Sequence, residues 1–287
     1  MRTYLDCLPC LFSQSLRAAR AATADEEVHR RVLDGVAAMI PQLSLGLIPP
    51  EIAQRVYRLI YQLTGIDDPF RKLKDESNRV ALALYPRLKQ LVADSEEPLL
   101  MACKLAIAGN SIDFGPNFNP GSINDMVDVA LSSSLVVDDY GIFRSSVMRS
   151  RCLLYLADNA GEILFDRVLI EELCRFEGLE VDFVVRGGPA INDATVDDAI
   201  AVGIDRVARV VPSGSNAPAT ILSQCSPEVL KLYHSADIVI AKGQGNYESL
   251  SDEPGDILFL LRAKCPIVAD QLGVNIGDII LKRHSKE

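Results

Sequence analysis

No stretch of the sequence approaches the roughly 18 consecutive apolar residues that a membrane-spanning helix needs, so no membrane partner is expected. The opening residues do not read as a secretion signal, because Asp6 stands where such a segment needs its apolar stretch and Arg17 and Arg20 follow. Positive charge is in deficit. With 29 Lys+Arg against 39 Asp+Glu and a formal net charge of −10, the chain is not expected to bind nucleic acid or anionic membranes generally. Histidine is scarce. His29, His234 and His284 make no pair at finger spacing, and Cys7-Leu8-Pro9-Cys10 has no second Cys-x-x-Cys to match it, which disfavours a structural zinc site. The seven cysteines are odd in number and scattered, so a reducing cytoplasm is expected rather than a disulfide framework. Internal repeats and low-complexity tracts are lacking as well.

Apolar residues, by contrast, make up 48% of the 287 positions, enough for one large or two modest cores. Charge divides unevenly: the first 90 residues hold 13 Lys+Arg and 10 Asp+Glu, the remainder 16 and 29. A mildly basic front and an acidic rear suggest two units. Helical spacing of apolar residues runs through Cys7–Ala22, Asp25–Ile40, Pro50–Leu63, Phe70–Leu91 and Pro98–Ala108. A turn-rich stretch, Asn110–Ser122, follows, then helical patterns at Ile123–Ser132 and Asp138–Arg149.

From Cys152 the texture changes. Strand-like runs at Cys152–Ala157, Val181–Val185, Arg206–Val211, Asp237–Ala241 and Pro266–Ala269 are interspersed with helical patterns at Glu162–Phe176, Ala194–Ala201 and Pro227–Tyr233. Short, nearly all-apolar strands separated by helices indicate a parallel sheet covered on both faces. The expectation is a mainly helical domain over 1–150 on a doubly wound α/β domain over 151–287, a three-layer α/β/α arrangement.

In such a sheet the strand carboxyl ends share one edge. Four polar or glycine-rich segments fall there: 158–162, 186–193, 212–216 and 242–248. Asp158, Asn159 and Asp193 offer hard oxygen donors suited to Mg²⁺, Mn²⁺ and similar ions. Lys242 ends an apolar strand as a point charge, and Gly243 and Gly245 expose backbone N–H groups to an anion. Metal, lysine and glycine loop together suggest phosphate chemistry. Each element also has a plain structural reading: Asp158-Asn159 and Asn192-Asp193 as helix caps, Ser213-Gly214-Ser215 as a turn, Cys7 and Cys10 as incidental thiols. Lys74 reads as part of a solvated face.

The ordered set Asp-Asn-Ala-Gly-Glu-Ile-Leu-Phe-Asp (158–166), Arg-Gly-Gly-Pro-Ala-Ile-Asn-Asp-Ala-Thr (186–195), Ser-Gly-Ser-Asn-Ala-Pro (213–218) and Lys-Gly-Gln-Gly-Asn-Tyr-Glu (242–248) resembles the metal-dependent damage-control phosphatases. This family was long known as a domain of unknown function and is also described as acidic-residue-methyltransferase-like. Asp68-Pro69-Phe70 with Lys72 and Asn78, and Ala108–Asp113, match too, so the resemblance spans essentially the whole chain. Cys7/Cys10 points to its prokaryotic branch. The resemblance implies a helical region on an α/β core and hydrolysis of small phosphorylated metabolites with a divalent metal (Mg, Mn, Co or Ni). It implies Asp158, Asn159 and Asp193 as metal ligands and catalytic residues, and Lys242 as the phosphate contact. Asn110 and Asp113 would complete the pocket, with Glu162, Ser213, Gly214, Ser215, Gly243, Gly245 and Asn246 around the substrate. Two alternatives stand beside this: an S-adenosylmethionine-dependent methyltransferase, and a non-catalytic phosphometabolite-binding protein. Oligomeric state is left open.

Overall fold

The computed structural model describes residues 1–110 and 134–286. Three helices open the chain: α1 (Cys7–Ala22), α2 (Glu26–Met39) and α3 (Pro49–Thr64). Their ends follow from local chemistry. Asp25 accepts the N–H of Glu27 at the start of α2, and Pro49 and Pro50 occupy the first turn of α3, where missing N–H groups cost nothing. Gly65 ends α3 at φ 70°, a left-handed cap that suits glycine. The apolar faces of these helices enclose a core of their own, built on Leu11, Ala18, Val32, Val36, Val56 and Ile60.

α4 (Arg71–Ala93) and α5 (Pro98–Gly109) instead share a core with the sheet. The pattern expected to be helical from Asp138 divides into strand β1 (Leu135–Asp138) and helix α6 (Tyr140–Val147). The expected helix Ile123–Ser132, and Asp113 with the rest of the turn-rich stretch after Asn110, lie outside the described residues.

The remaining elements are β2 (Cys152–Leu156), α7 (Glu162–Leu173), β3 (Glu180–Val185), α8 (Val196–Ala201), β4 (Arg209–Pro212), α9 (Pro227–Ser235), β5 (Ile238–Lys242), α10 (Gly243–Leu250), β6 (Gly255–Arg262), α11 (Pro266–Leu272) and β7 (Ile279–Lys286). Seven strands form one sheet in the order β1-β7-β6-β5-β2-β3-β4. β2 through β6 run parallel; β7 runs antiparallel to β6 and pairs in parallel with β1 at the edge. The fold is thus mixed α/β with a mostly parallel, doubly wound sheet.

Period-two alternation sorts the strand side chains into two layers. Leu153, Tyr155, Phe183, Ile240 and Leu258 face the core shared with α4, α5 and α7. Leu154, Leu156, Val184, Val239 and Phe259 face the core shared with α9, α10 and α11.

Three expectations are corrected. Pro266–Ala269 is not a strand but the start of α11, with Pro266 in its first turn; four apolar residues are too few for periodicity to separate the two states. The strand in this region is β6, an apolar run that sequence reading left unassigned, and β7 was likewise not anticipated. The segment after Lys242 is a helix rather than a loop. Tyr247 and Leu250 pack into the second core, and this burial overrides the poor helix propensity of Gly243 and Gly245.

β2 continues to β3 on one side while β5 lies on its other side. The chain therefore diverges at the carboxyl ends of β2 and β5, which opens a crevice there.

Candidate active site

A cavity of about 420 Å³ occupies this crevice, walled by the sheet edge on one side and by α1 and the start of α3 on the other. Asp158 and Asn159 enter it from the end of β2. Asp193 enters from the loop after β3, where a bridge pairs Asn159 with Asp193. The two acids, 35 positions apart in sequence, are thereby neighbours. Backbone bonds fix that approach: Ala194 N–H donates to the Asp158 carbonyl at 2.8 Å, and Ala160 N–H to the Asn192 carbonyl at 2.9 Å.

The side-chain hydrogen bonds leave a consistent set of oxygens uncommitted. Asp158 Oδ2 accepts from Asn110 Nδ2 at 2.9 Å and Asn159 Nδ2 at 2.8 Å. Asn159 Nδ2 also donates to Glu162 Oε2 at 3.0 Å. An amide facing two carboxylates must present its NH₂ to them, so the Asn159 Oδ1 is directed elsewhere. Asp193 Oδ2 accepts from Arg186 Nε at 2.7 Å and from Ala219 N–H at 3.1 Å. Among the described residues, Oδ1 of Asp158, of Asn159 and of Asp193 have no protein donor.

Electrostatics point the same way. Burial, then the negative charges of Glu162 and Asp193, push the Asp158 carboxyl well above its usual range, against the opposing pull of Lys264 and Arg186. Two carboxylates and a carboxamide in an under-neutralised pocket are the hard-oxygen donor set that a divalent cation satisfies. No group of three His, Cys, Asp or Glu side chains is placed to hold an ion among the described residues, so the amide of Asn159 is integral to any such site.

The backbone is strained where it serves this site. Ile191 (φ 48°) and Ala219 (φ 62°) are the non-glycine residues with left-handed φ among the described residues, and both line the cavity. Gly243 (φ 79°) lies so close to Asp158 that an added Cβ would collide with its carboxylate.

Lys242 does not line the cavity. It is fully buried, and Nζ donates to Glu162 Oε1 at 2.7 Å, Asp166 Oδ1 at 2.6 Å and the Ala106 carbonyl at 2.9 Å. All three ammonium protons are used, so Lys242 anchors Glu162, which in turn orients Asn110 and Asn159. Burial raises Glu162, but Lys242, Lys264 and hydrogen bonds from Lys242 and Asn110 outweigh it and hold its carboxyl below the usual range. Burial lifts Asp166 to about 6 despite Lys242.

Other expected residues divide between the cavity and its supports. Gly245 lines the cavity. Asn246 is buried and donates to the carbonyls of Ala157 and Lys242 at 3.0 and 2.8 Å, tying β2 to β5. Asn110 braces Asp158, and its Oδ1 accepts the Arg262 N–H at 3.3 Å. The Ser213-Gly214-Ser215 segment is a turn that holds the neighbouring loop: Ser213 Oγ and the Ser215 carbonyl both accept the Gly187 N–H, at 3.1 and 2.8 Å. It does not line the cavity.

Lys72 is exposed, whereas Lys74, expected on a solvated face, is buried between Asp68 (2.8 Å) and Asp198 (3.6 Å). Asn78 joins the same support, accepting the Gly161 N–H at 2.7 Å and donating to Asp198 at 2.8 Å.

Sequence reading missed Lys264, Glu248, Cys265 and the role of Arg186. Lys264 and Glu248 line the cavity, as do Cys7, Cys10 and Cys265. The signal for Lys264 was present: Ile257–Leu261 is an apolar run, and the cation follows shortly after its end. Arg186 is buried and donates to Asp193, Thr220 and the Ala157 carbonyl.

Comparison with known proteins shows the family. The damage-control phosphatase ARMT1-like domain matches residues 3–280. "Damage-control phosphatase PH1575" of Pyrococcus horikoshii is 35% identical over 99% of this chain and 99% of its own. A "Damage-control phosphatase" of Archaeoglobus fulgidus is 33% identical over 96% of this chain and 97% of its own. The crystal structure of the P. horikoshii protein, described as a DUF89 family protein, superimposes with a TM-score of 0.92 at 34% identity, covering 99% of both chains. With a match over nearly its full length, the chain belongs to the damage-control phosphatase ARMT1-like family.

Proposed function

We propose that the protein is a metal-dependent phosphatase of small phosphorylated metabolites, with Asp158, Asn159 and Asp193 holding the metal. The observation that carries this is that Asp158, Asn159 and Asp193, brought together by the Asn159–Asp193 bridge, line one cavity with Lys264. Bound there, a divalent cation supplies polarisation of a phosphoryl oxygen and neutralisation of developing charge. The protein's own residues do the rest. Lys264, whose charge is felt at Asp158 and Glu162, attracts the phosphate dianion in place of the buried Lys242. Asn110, Glu162 and Lys242 hold the carboxylate and amide in register, and α1 and α3 cover the site from bulk water. The seven unpaired cysteines are consistent with the reducing cytoplasm in which such metabolites occur.

The test is phosphate release from an aryl phosphate with Mg²⁺, Mn²⁺, Co²⁺ and Ni²⁺ supplied in turn to metal-stripped protein. Activity should require the metal and fall at least 100-fold in Asp158→Asn and Asp193→Asn. Metal-independent release, or full activity in both variants, refutes the assignment.

A further inference from the structure

Building on the phosphatase reading, we infer that the cavity selects phosphate monoesters whose remaining portion is neutral or carries an amine, and rejects those bearing a second anionic group. Charge placement carries this. Among the described residues lining the cavity, Asp6, Asp158, Asp193 and Glu248 are acids, and Lys264 is the one Lys or Arg. Segment 111–133 contains no Lys or Arg in its sequence, so it contributes no further cation. Arg186 and Lys242 lie behind the acids, committed to Asp193 and to Glu162 with Asp166. A phosphate beside Lys264 and the metal ligands would therefore use all the positive charge that the cavity offers.

The rest of the wall is acidic or apolar. Gln244 Nε2 donates to Glu248 Oε1 at 2.8 Å and to Cys265 Sγ at 3.4 Å, which holds the Glu248 carboxylate on the Cys265 side of the cavity. Asp6 stands at the rim beside α1, and Leu8, Leu11, Ile52 and Ile267 contribute apolar surface. A carboxylate or second phosphate on the substrate would lose water there and meet Glu248 and Asp6 with no further cation on the cavity wall, since the Met1 ammonium beside Glu248 lies outside the lining and is paired with Asp252 and the Glu248 carbonyl. An ammonium would find two partners, and an uncharged body would meet apolar wall. Burial, partly offset by the Gln244 hydrogen bond and the Met1 ammonium, raises the Glu248 carboxyl to about 7, so a measurement at pH 8 finds it mostly ionised.

The test compares 4-methylphenyl, 4-(aminomethyl)phenyl and 4-(carboxymethyl)phenyl phosphate, close in leaving-group acidity, at pH 8 with the best metal, and the acid-neutralised variant below separates charge from the larger size of the carboxymethyl group. The carboxymethyl ester should show kcat/KM at least about tenfold below the methyl ester, the ratio that about 1.4 kcal/mol of repulsion produces. The aminomethyl ester should equal or exceed the methyl ester. In the Asp6→Asn/Glu248→Gln variant, where Gln keeps an acceptor for Gln244, the methyl-to-carboxymethyl ratio should shrink at least threefold. A smaller wild-type ratio, or a ratio that the double variant leaves unchanged, overturns the proposal. If no ester is turned over with any metal, the phosphatase reading fails on its own, and calorimetric binding of the three esters to the metal-loaded protein decides this one. The same order of affinity supports charge selection; equal affinities or no binding overturn it.

Discussion

Replacing Lys242 with methionine distinguishes a lysine that holds the site from one that holds the substrate. Met fills similar volume but leaves Glu162 and Asp166, 1% and 0% exposed, without their counter-charge. Removing one partner of a buried ion pair costs about 3–5 kcal/mol. Protonation caps the loss: keeping a carboxyl with an unfolded pKa near 4 neutral at pH 7 costs about 4 kcal/mol, and at pH 5 only about 1.4 kcal/mol. The sign follows. Without Lys242 the folded-state pKa values of these carboxyls rise above their unfolded values, so the native state binds more protons and stability falls as pH rises through that window. In the wild type the Asp166 contribution ends near its folded value of about 6. The variant should keep losing about 1.4 kcal/mol per pH unit above it. Urea denaturation of the metal-free proteins at pH 5, 6, 7 and 8 measures this, with a deficit of about 4 kcal/mol expected at pH 7 and a much smaller one at pH 5. A variant with wild-type stability at pH 7 and 8 but a raised KM for a phosphate ester would refute the reasoning and return Lys242 to the phosphate.

Neutralising Asp158 and Asp193 in the absence of metal should have effects of opposite sign. Asp158→Asn removes a charge that burial, Glu162 and Asp193 disfavour, so its melting temperature should rise by a few degrees and no longer respond to added Mn²⁺. Asp193→Asn leaves the buried Arg186 guanidinium without its anion and should lose about 3 kcal/mol in urea denaturation; equal shifts in both variants would contradict the charge arrangement. Gly243→Ala should cost at least about 1 kcal/mol, since φ is 79° and the new methyl meets Asp158. Its phosphate release should fall at least 100-fold, and a near-normal rate would show that Asp158 needs no fixed position.

What could be read in the sequence divides along physical lines. Asp158 and Asn159 were legible because a strand handing over to a helix is a local event, visible in nine consecutive residues. Glu162 was legible as a neighbour, but its role was not, because its partners Asn110 and Lys242 lie 52 and 80 positions away. β6 escaped because Gly255 and Asp256 precede its apolar run and α11 follows after a short loop. Lys74 was misread because one of its two ion partners, Asp198, lies 124 positions away in sequence. Lys242 is the instructive case, since part of its fate was written in β5 itself. Ile238 and Ile240 belong to the core facing α5 and α7, Val239 and Ala241 to the opposite one. Period-two alternation therefore assigns Lys242 to the α5/α7 face before any loop begins. On that face Glu162 and Asp166, four apart and so on one side of α7, form a receptor for a single ammonium. Lys264 lies two residues beyond β6, where alternation no longer binds the side chain to a layer. A cation still within the strand is thus drawn under the sheet to support the site, while one just past its end is free to line the cavity.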